Sequence, residues 1–167
     1  MSKVLIIDTS ILCVYLKVPF MEECGPDHDK WNYSRVAEKI DDEISQKSLL
    51  VLPLATLIET GNHIAHASGD RYPVAQKLSD IIVKVANAEE PWAAFTAQKD
   101  LWGEENLTKL ANEWPALATA EISIGDATIK DVAEFYTESG VNVEILTGDE
   151  GLKAYEPKVV KVPRRRK

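Results

Sequence analysis

Apolar residues in this chain gather in short unbroken runs, and between the runs they recur at helical spacing. Val4-Leu5-Ile6-Ile7 is such a run, ending in Asp8-Thr9-Ser10, and reads as a strand buried on both faces. Leu49 to Leu52, stopped by Pro53, reads the same way, and Val141 to Leu146, ending in Thr147-Gly148-Asp149, reads as a third clear strand. Lys158 to Val162, closed by Pro163, predicts a last short strand, and Ala120 to Ile124 a weak strand or an extended lead-in. Between these lie helical patterns. Ser10 to Lys17 predicts a short helix broken by Pro19, and Met21 to His28 a polar loop. Trp31 to Gln46 carries Val36, Ile40 and Ile44 on one face, and Thr56 to Ala67 a stripe of Leu57, Ile58, Gly61, Ile64 and Ala65. Pro73 to Asn87 turns Val74, Leu78, Ile81, Ile82 and Val85 inward. A helix from Gly125-Asp126 to Glu138 buries Ile129, Val132, Ala133 and Tyr136. Glu89 to Pro115, with Trp92, Trp102 and Trp114 among charges, predicts one or two helices including Glu104 to Glu113.

Strands alternating with helices predict an α/β fold, a three-layer α/β/α sandwich with a mostly parallel central sheet. The 167 residues suffice for one core, so residues 1–163 are expected to form one domain and 164–167 a basic tail. No stretch approaches the roughly 20 apolar residues of a membrane span, and no charged leader precedes the first strand, so a cytoplasmic protein is expected. Cys13 and Cys24 lack metal-ligand spacing and are expected as reduced thiols. A formal net charge of −8 argues against a broad basic grip on nucleic acid, but not against contact through metal ions.

Four acids stand where elements begin or end. Asp8 ends the first strand, Asp149 follows the Val141–Leu146 strand, Asp126 opens a helix, and Glu59 lies one turn into the helix after the second strand. Parallel strands present their carboxyl ends on one sheet edge, where ligands of open α/β sheets bind. Each acid also has a structural reading. Asp8 and Asp126 suit helix starts, Asp149 suits a turn, and Glu59 suits a solvated face. Gathered together, carboxylates repel unless a cation is present, and oxygen-only ligands suit hard divalent ions.

These stretches resemble a PIN-domain nuclease. The likeness rests on Val4 to Leu12 with Asp8, on Pro53 to Glu59, on Gly125-Asp126-Ala127-Thr128-Ile129, and on Glu144 to Leu152 with Asp149. It implies that Asp8, Glu59, Asp126 and Asp149 bind Mg²⁺ or Mn²⁺ and hydrolyse phosphodiester bonds by a two-metal mechanism. The implied substrate is single-stranded or structured RNA in preference to DNA. Thr9, Ser10 and Thr147 match the family's hydroxyl positions beside the metals. A homodimer and an inhibitory partner protein, as in toxin–antitoxin pairs, are further implications. Residues 17–30 and 89–115 read as additions to the compact toxin-type members.

Lys130, one turn after Asp126, could reach a substrate phosphate, though an ion pair is the better expectation. His63 and His66 follow Glu59 along its helix and read as surface residues, while Arg71, Arg164, Arg165 and Arg166 are phosphate-binding candidates. Three rival readings stand beside the RNA nuclease: a catalytically silent interaction module of the same fold, a nuclease acting on DNA in a defence system, and a response-regulator domain. The last ranks lowest, because the strand ending at Pro53 carries no acid.

Overall fold

β1 (Lys3–Ile7) is the central strand of a parallel sheet, flanked by β4 (Leu49–Val51) and β5 (Asn142–Leu146) in the order β4-β1-β5. The computed structural model describes residues 2–158, so the strand expected over Lys158–Val162 and the basic tail lie outside the described residues apart from Lys158. Register pairs Ile6 with Val51 and Ile7 with Leu146, which brings the carboxyl ends of all three strands to one edge.

Alternation along β1 divides the core in two. Leu5 and Ile7 point to one side, packing with Leu50, with Ile11, Leu12 and Leu16 of α1 (Thr9–Leu16), and with Leu78 and Ile81 of α4 (Arg71–Ala86). Val4 and Ile6 point to the other, against Ile129, Val132 and Ala133 of α6 (Ile124–Glu138) and Leu152 of α7 (Glu150–Lys153). The sheet therefore carries helices on both faces, in keeping with α/β/α layering. Each such aliphatic side chain, fully withdrawn from water, contributes roughly 1.5–3 kcal/mol. Among the described residues, no helix is long and apolar enough to cross a membrane.

Several expectations need correction. Trp31 and Asn32 are not helical: they form β3 (Trp31–Asn32), paired antiparallel with β2 (Glu23–Cys24) in a hairpin where a polar loop was expected. α2 (Tyr33–Ser45) starts where the Asn32 side chain accepts the Arg35 N–H at 3.0 Å. On α2 Val36 and Ile40 are buried, but Ile44 is 40% exposed and Glu43 takes the inward place. Burial alone would raise the Glu43 pKa, but hydrogen bonds from Lys3, Lys39 and Ser48 outweigh it and hold the carboxyl at about 2. Lys3 and Lys39 also pair with Glu144 on β5, so four charges fasten α2 to the amino-terminal end of the sheet.

α3 (Leu54–Ala65) is rotated from its expected stripe. Ala55, Thr56, Thr60 and Ile64 are buried, whereas Ile58 is half exposed and Ala65 lies on the surface. Thr56 can face inward because its hydroxyl donates to the Ile7 carbonyl at 2.8 Å.

Within residues 89–115, Pro91 to Ala93 covers the free edge of β4. The Leu50 N–H donates to Pro91 O and the Ala93 N–H to Leu50 O, both at 2.8 Å, with Trp92 buried beside them. A 3-10 helix over Phe95–Trp102 follows, where Gln98 donates to Leu52 O at 2.9 Å. α5 (Glu104–Thr119) outruns the expected Glu113 end and continues through Pro115. Ala120 to Ile124 is no strand: a turn with Glu121 at φ 63° leads into α6.

Candidate functional site

Asp8 occupies the position before α1 where a capping aspartate would sit, yet its carboxylate makes no capping bond. It is 5% exposed, and its Oδ2 accepts the Ser10 hydroxyl at 2.8 Å and the Thr147 hydroxyl at 2.7 Å. The adjoining loop after β5 is tied into the same set. Gly148 N–H donates to Ser10 Oγ at 3.0 Å and Asp149 N–H to Thr147 Oγ1 at 2.9 Å. The main chain therefore fixes two hydroxyls, and the hydroxyls aim one carboxylate.

Glu59 is half-buried, not the solvated residue its helix position allowed, and its Oε2 accepts the Thr9 hydroxyl at 3.0 Å. The rotation of α3 turns it toward α1 and α6. Gly125 makes room for it, since a Cβ at that position would lie 2.2 Å from Glu59 Oε1. Asp126 follows in the first turn of α6, whose amino end is capped by the Ser123 hydroxyl accepting the Asp126 N–H at 3.0 Å. Burial first, and then the charge of Asp8, push the Asp126 carboxyl up to about 6, with Asp149 and Glu59 adding to the effect and a Ser123 hydrogen bond opposing it. Asp8, Glu59 and Asp149 thus each bear on the Asp126 carboxyl.

Asp149 keeps the turn role expected of it as well. Its Oδ1 caps α7, accepting the N–H of Gly151 at 2.7 Å and of Leu152 at 3.2 Å, while the residue itself is exposed. Lys130 is committed to Glu134, at 2.7 Å one turn further along α6, so the ion pair describes it better than a substrate contact. His63 and His66 lie on the surface of α3 and its end, with His66 Nδ1 2.8 Å from Asn62 O.

Cys24 and its hairpin were not among the sequence candidates, yet they close one side of this edge. A Cβ on Gly148 would meet Cys24 Sγ at 2.7 Å and the Gly25 nitrogen at 2.8 Å. His28 reaches Glu150 at 3.2 Å, so residues 17–30 lean on the loop that carries Thr147 and Asp149. Gly25, at φ 95°, and Pro26 after it were the local signals of that turn.

The donor set is oxygen-only and its mutual repulsion favours a divalent cation, so the four acids fit Mg²⁺ or Mn²⁺ in kind. As the side chains stand, no group of three or more His, Cys, Asp or Glu among the described residues is arranged to hold a metal ion. No protein-family model, curated protein or solved structure matches this chain.

Proposed function

We propose that this chain is a divalent-cation-dependent nuclease with a PIN-like fold, hydrolysing phosphodiester bonds in single-stranded or structured RNA. The observation that carries the reading is the orientation of Asp8. A buried carboxylate at the end of the central strand declines the cap beside it and is aimed by Ser10 and Thr147. Helix capping gives no reason for that arrangement, whereas hydroxyls that aim a carboxylate are what a ligand-binding one commonly carries.

Asp8, Glu59, Asp126 and Asp149 are the residues that would hold Mg²⁺ or Mn²⁺. When bound, such ions activate water and offset charge on the leaving oxygen. The chain's own part is to orient Asp8 through Ser10 and Thr147, to hold Glu59 through Thr9, and to set Asp126 among like charges that a bound cation would offset. Lys130 is left to its ion pair with Glu134.

A second reading has an observation of its own. The acids do not form a ready cation cage, which favours a catalytically silent module of the same fold. One experiment separates the two. Mixed transfer RNA, messenger RNA and single-stranded DNA are incubated with Mn²⁺, with EDTA, and with the Asp126→Asn variant, while thermal unfolding is followed with and without Mn²⁺. A nuclease cuts only with the metal, is silenced by the substitution, and is stabilised by Mn²⁺ increasingly as the metal concentration exceeds its dissociation constant. Wild-type protein that neither cuts nor is stabilised by Mn²⁺ leaves the silent module standing.

A further inference from the structure

Phe20 is 82% exposed and holds a left-handed backbone, φ 64°, a conformation that bulky residues seldom adopt. The turn around it is firm: Val18 is buried and its N–H donates to Cys13 O at 3.0 Å, while the Met21 N–H donates to Val18 O at 3.0 Å. The ring is thus presented to solvent from a fixed support. Beside it opens a groove of about 500 Å³, lined by Val18, Phe20, Met21, Asn62, His63 and His66 among others. No carboxylate lines this groove, although the chain's formal net charge is −8.

The groove lies further along the helix that carries Glu59. Glu59, His63 and His66 stand on α3 and its end at positions i, i+4 and i+7, which share one face. At about 1.5 Å rise per residue, His63 is about 6 Å and His66 about 10 Å from Glu59 along the helix. A strand whose phosphate lay at the carboxylates would place a neighbouring nucleotide in the groove. The groove's chemistry suits a base: an aromatic face for stacking, and the Asn62 amide, able both to donate and to accept, for its edge.

We propose that Phe20 is a stacking platform for a base of single-stranded nucleic acid, next to the nucleotide at the acids, with Asn62 and His63 reading that base's edge. The ligand class rests on the nuclease reading; the platform is tested by binding alone. RNA and DNA oligonucleotides carrying one 2-aminopurine are titrated with the full chain, with Ca²⁺ in place of Mn²⁺, and quenching reports stacking. Phe20→Ala is expected to weaken binding about tenfold and to remove the quench, and Phe20→Trp to restore both. The melting temperature of each variant and the sedimentation of the wild type and Phe20→Ala are measured alongside.

Wild-type protein that quenches but never cleaves with any metal overturns the nuclease reading and leaves the platform. Wild-type protein that cleaves while Phe20→Ala binds and quenches like the parent overturns the platform and leaves the nuclease. Absence of both binding and cleavage overturns both. A dimer that Phe20→Ala converts to monomer assigns the ring to an interface between copies and overturns the platform too.

Discussion

Thr147 donates its hydroxyl to Asp8 Oδ2 at 2.7 Å, joining the ends of β5 and β1 through one buried carboxylate. The same hydroxyl accepts the Asp149 N–H at 2.9 Å, so a single oxygen positions one acid and the backbone of another. Thr147→Val keeps the shape and removes both bonds. We expect a loss of about 1–3 kcal/mol in stability, from the unsatisfied groups left behind, and weaker Mn²⁺ stabilisation. Thr147→Ser should recover most of both. Thermal melts with and without Mn²⁺ check this; a valine variant with wild-type metal response would detach Thr147 from the site.

Two glycines test the site from opposite sides. A Cβ at Gly125 meets only the far end of Glu59, which can swing away, so Gly125→Ala should fold nearly as well as the parent while losing the Thr9–Glu59 bond and with it metal response. A Cβ at Gly148 meets Cys24 Sγ and the Gly25 backbone, which cannot yield without moving the hairpin. Gly148→Ala should therefore cost about 1–3 kcal/mol. Equal stability losses in the two variants, measured by urea denaturation, would contradict this division.

What the sequence revealed follows from how strongly each element is patterned. β1, β5 and the buried face of α6 were plain, because the apolar run of β1, the alternation of Val143 and Ile145 with polar residues in β5, and a clean 3.6-residue period in α6 each leave one arrangement. The acids were legible as positions, since strand ends point to one edge. Their partners were not: a hydroxyl beside an acid reads equally as a cap, and only the fold shows Ser10 and Thr147 meeting on Asp8. α3 misled because it is apolar on more than one side. Its true inward face includes Thr56 and Thr60, which periodicity counts as polar. The hairpin of β2 and β3 has two-residue strands, too short to show alternation. Glu43 was invisible for a similar reason: its burial depends on Lys3 and Lys39, and Lys3 is 40 residues away.

Lys47 marks a position where the sequence is not optimal for its backbone. It follows α2 in a left-handed conformation, φ 61°, with its N–H donating to Ile44 O and the Ser48 N–H to Glu43 O, both at 2.9 Å. Glycine is the residue such a helix end favours. Strain of roughly 1–2 kcal/mol in the lysine is relieved, and glycine's extra chain entropy returns part of that. Lys47→Gly should raise stability by about 0.5–1 kcal/mol, read as a melting temperature higher by about 1–4 °C. A lower melting temperature would show that the exposed lysine side chain contributes something the backbone argument omits.

The Glu43 cluster predicts an acid-sensitive fold. The Glu43 carboxyl titrates near its ordinary 4.5 in the unfolded chain and at about 2 in the folded one, so its folded pKa is depressed. Its contribution is therefore complete above pH 4.5 and is lost as pH falls from 4.5 to 2, on the order of 3 kcal/mol over that window. Glu144, held down against its own burial by the same two lysines, works in the same direction. Urea unfolding at pH 6, 4 and 2.5 should show stability falling across the window in the wild type. Glu43→Gln should be less stable at pH 6, because Lys3 and Lys39 then share Glu144 alone, and should lose less on acidification. Parallel pH profiles for the two proteins would mean that the cluster does not hold α2 to the sheet as its geometry requires.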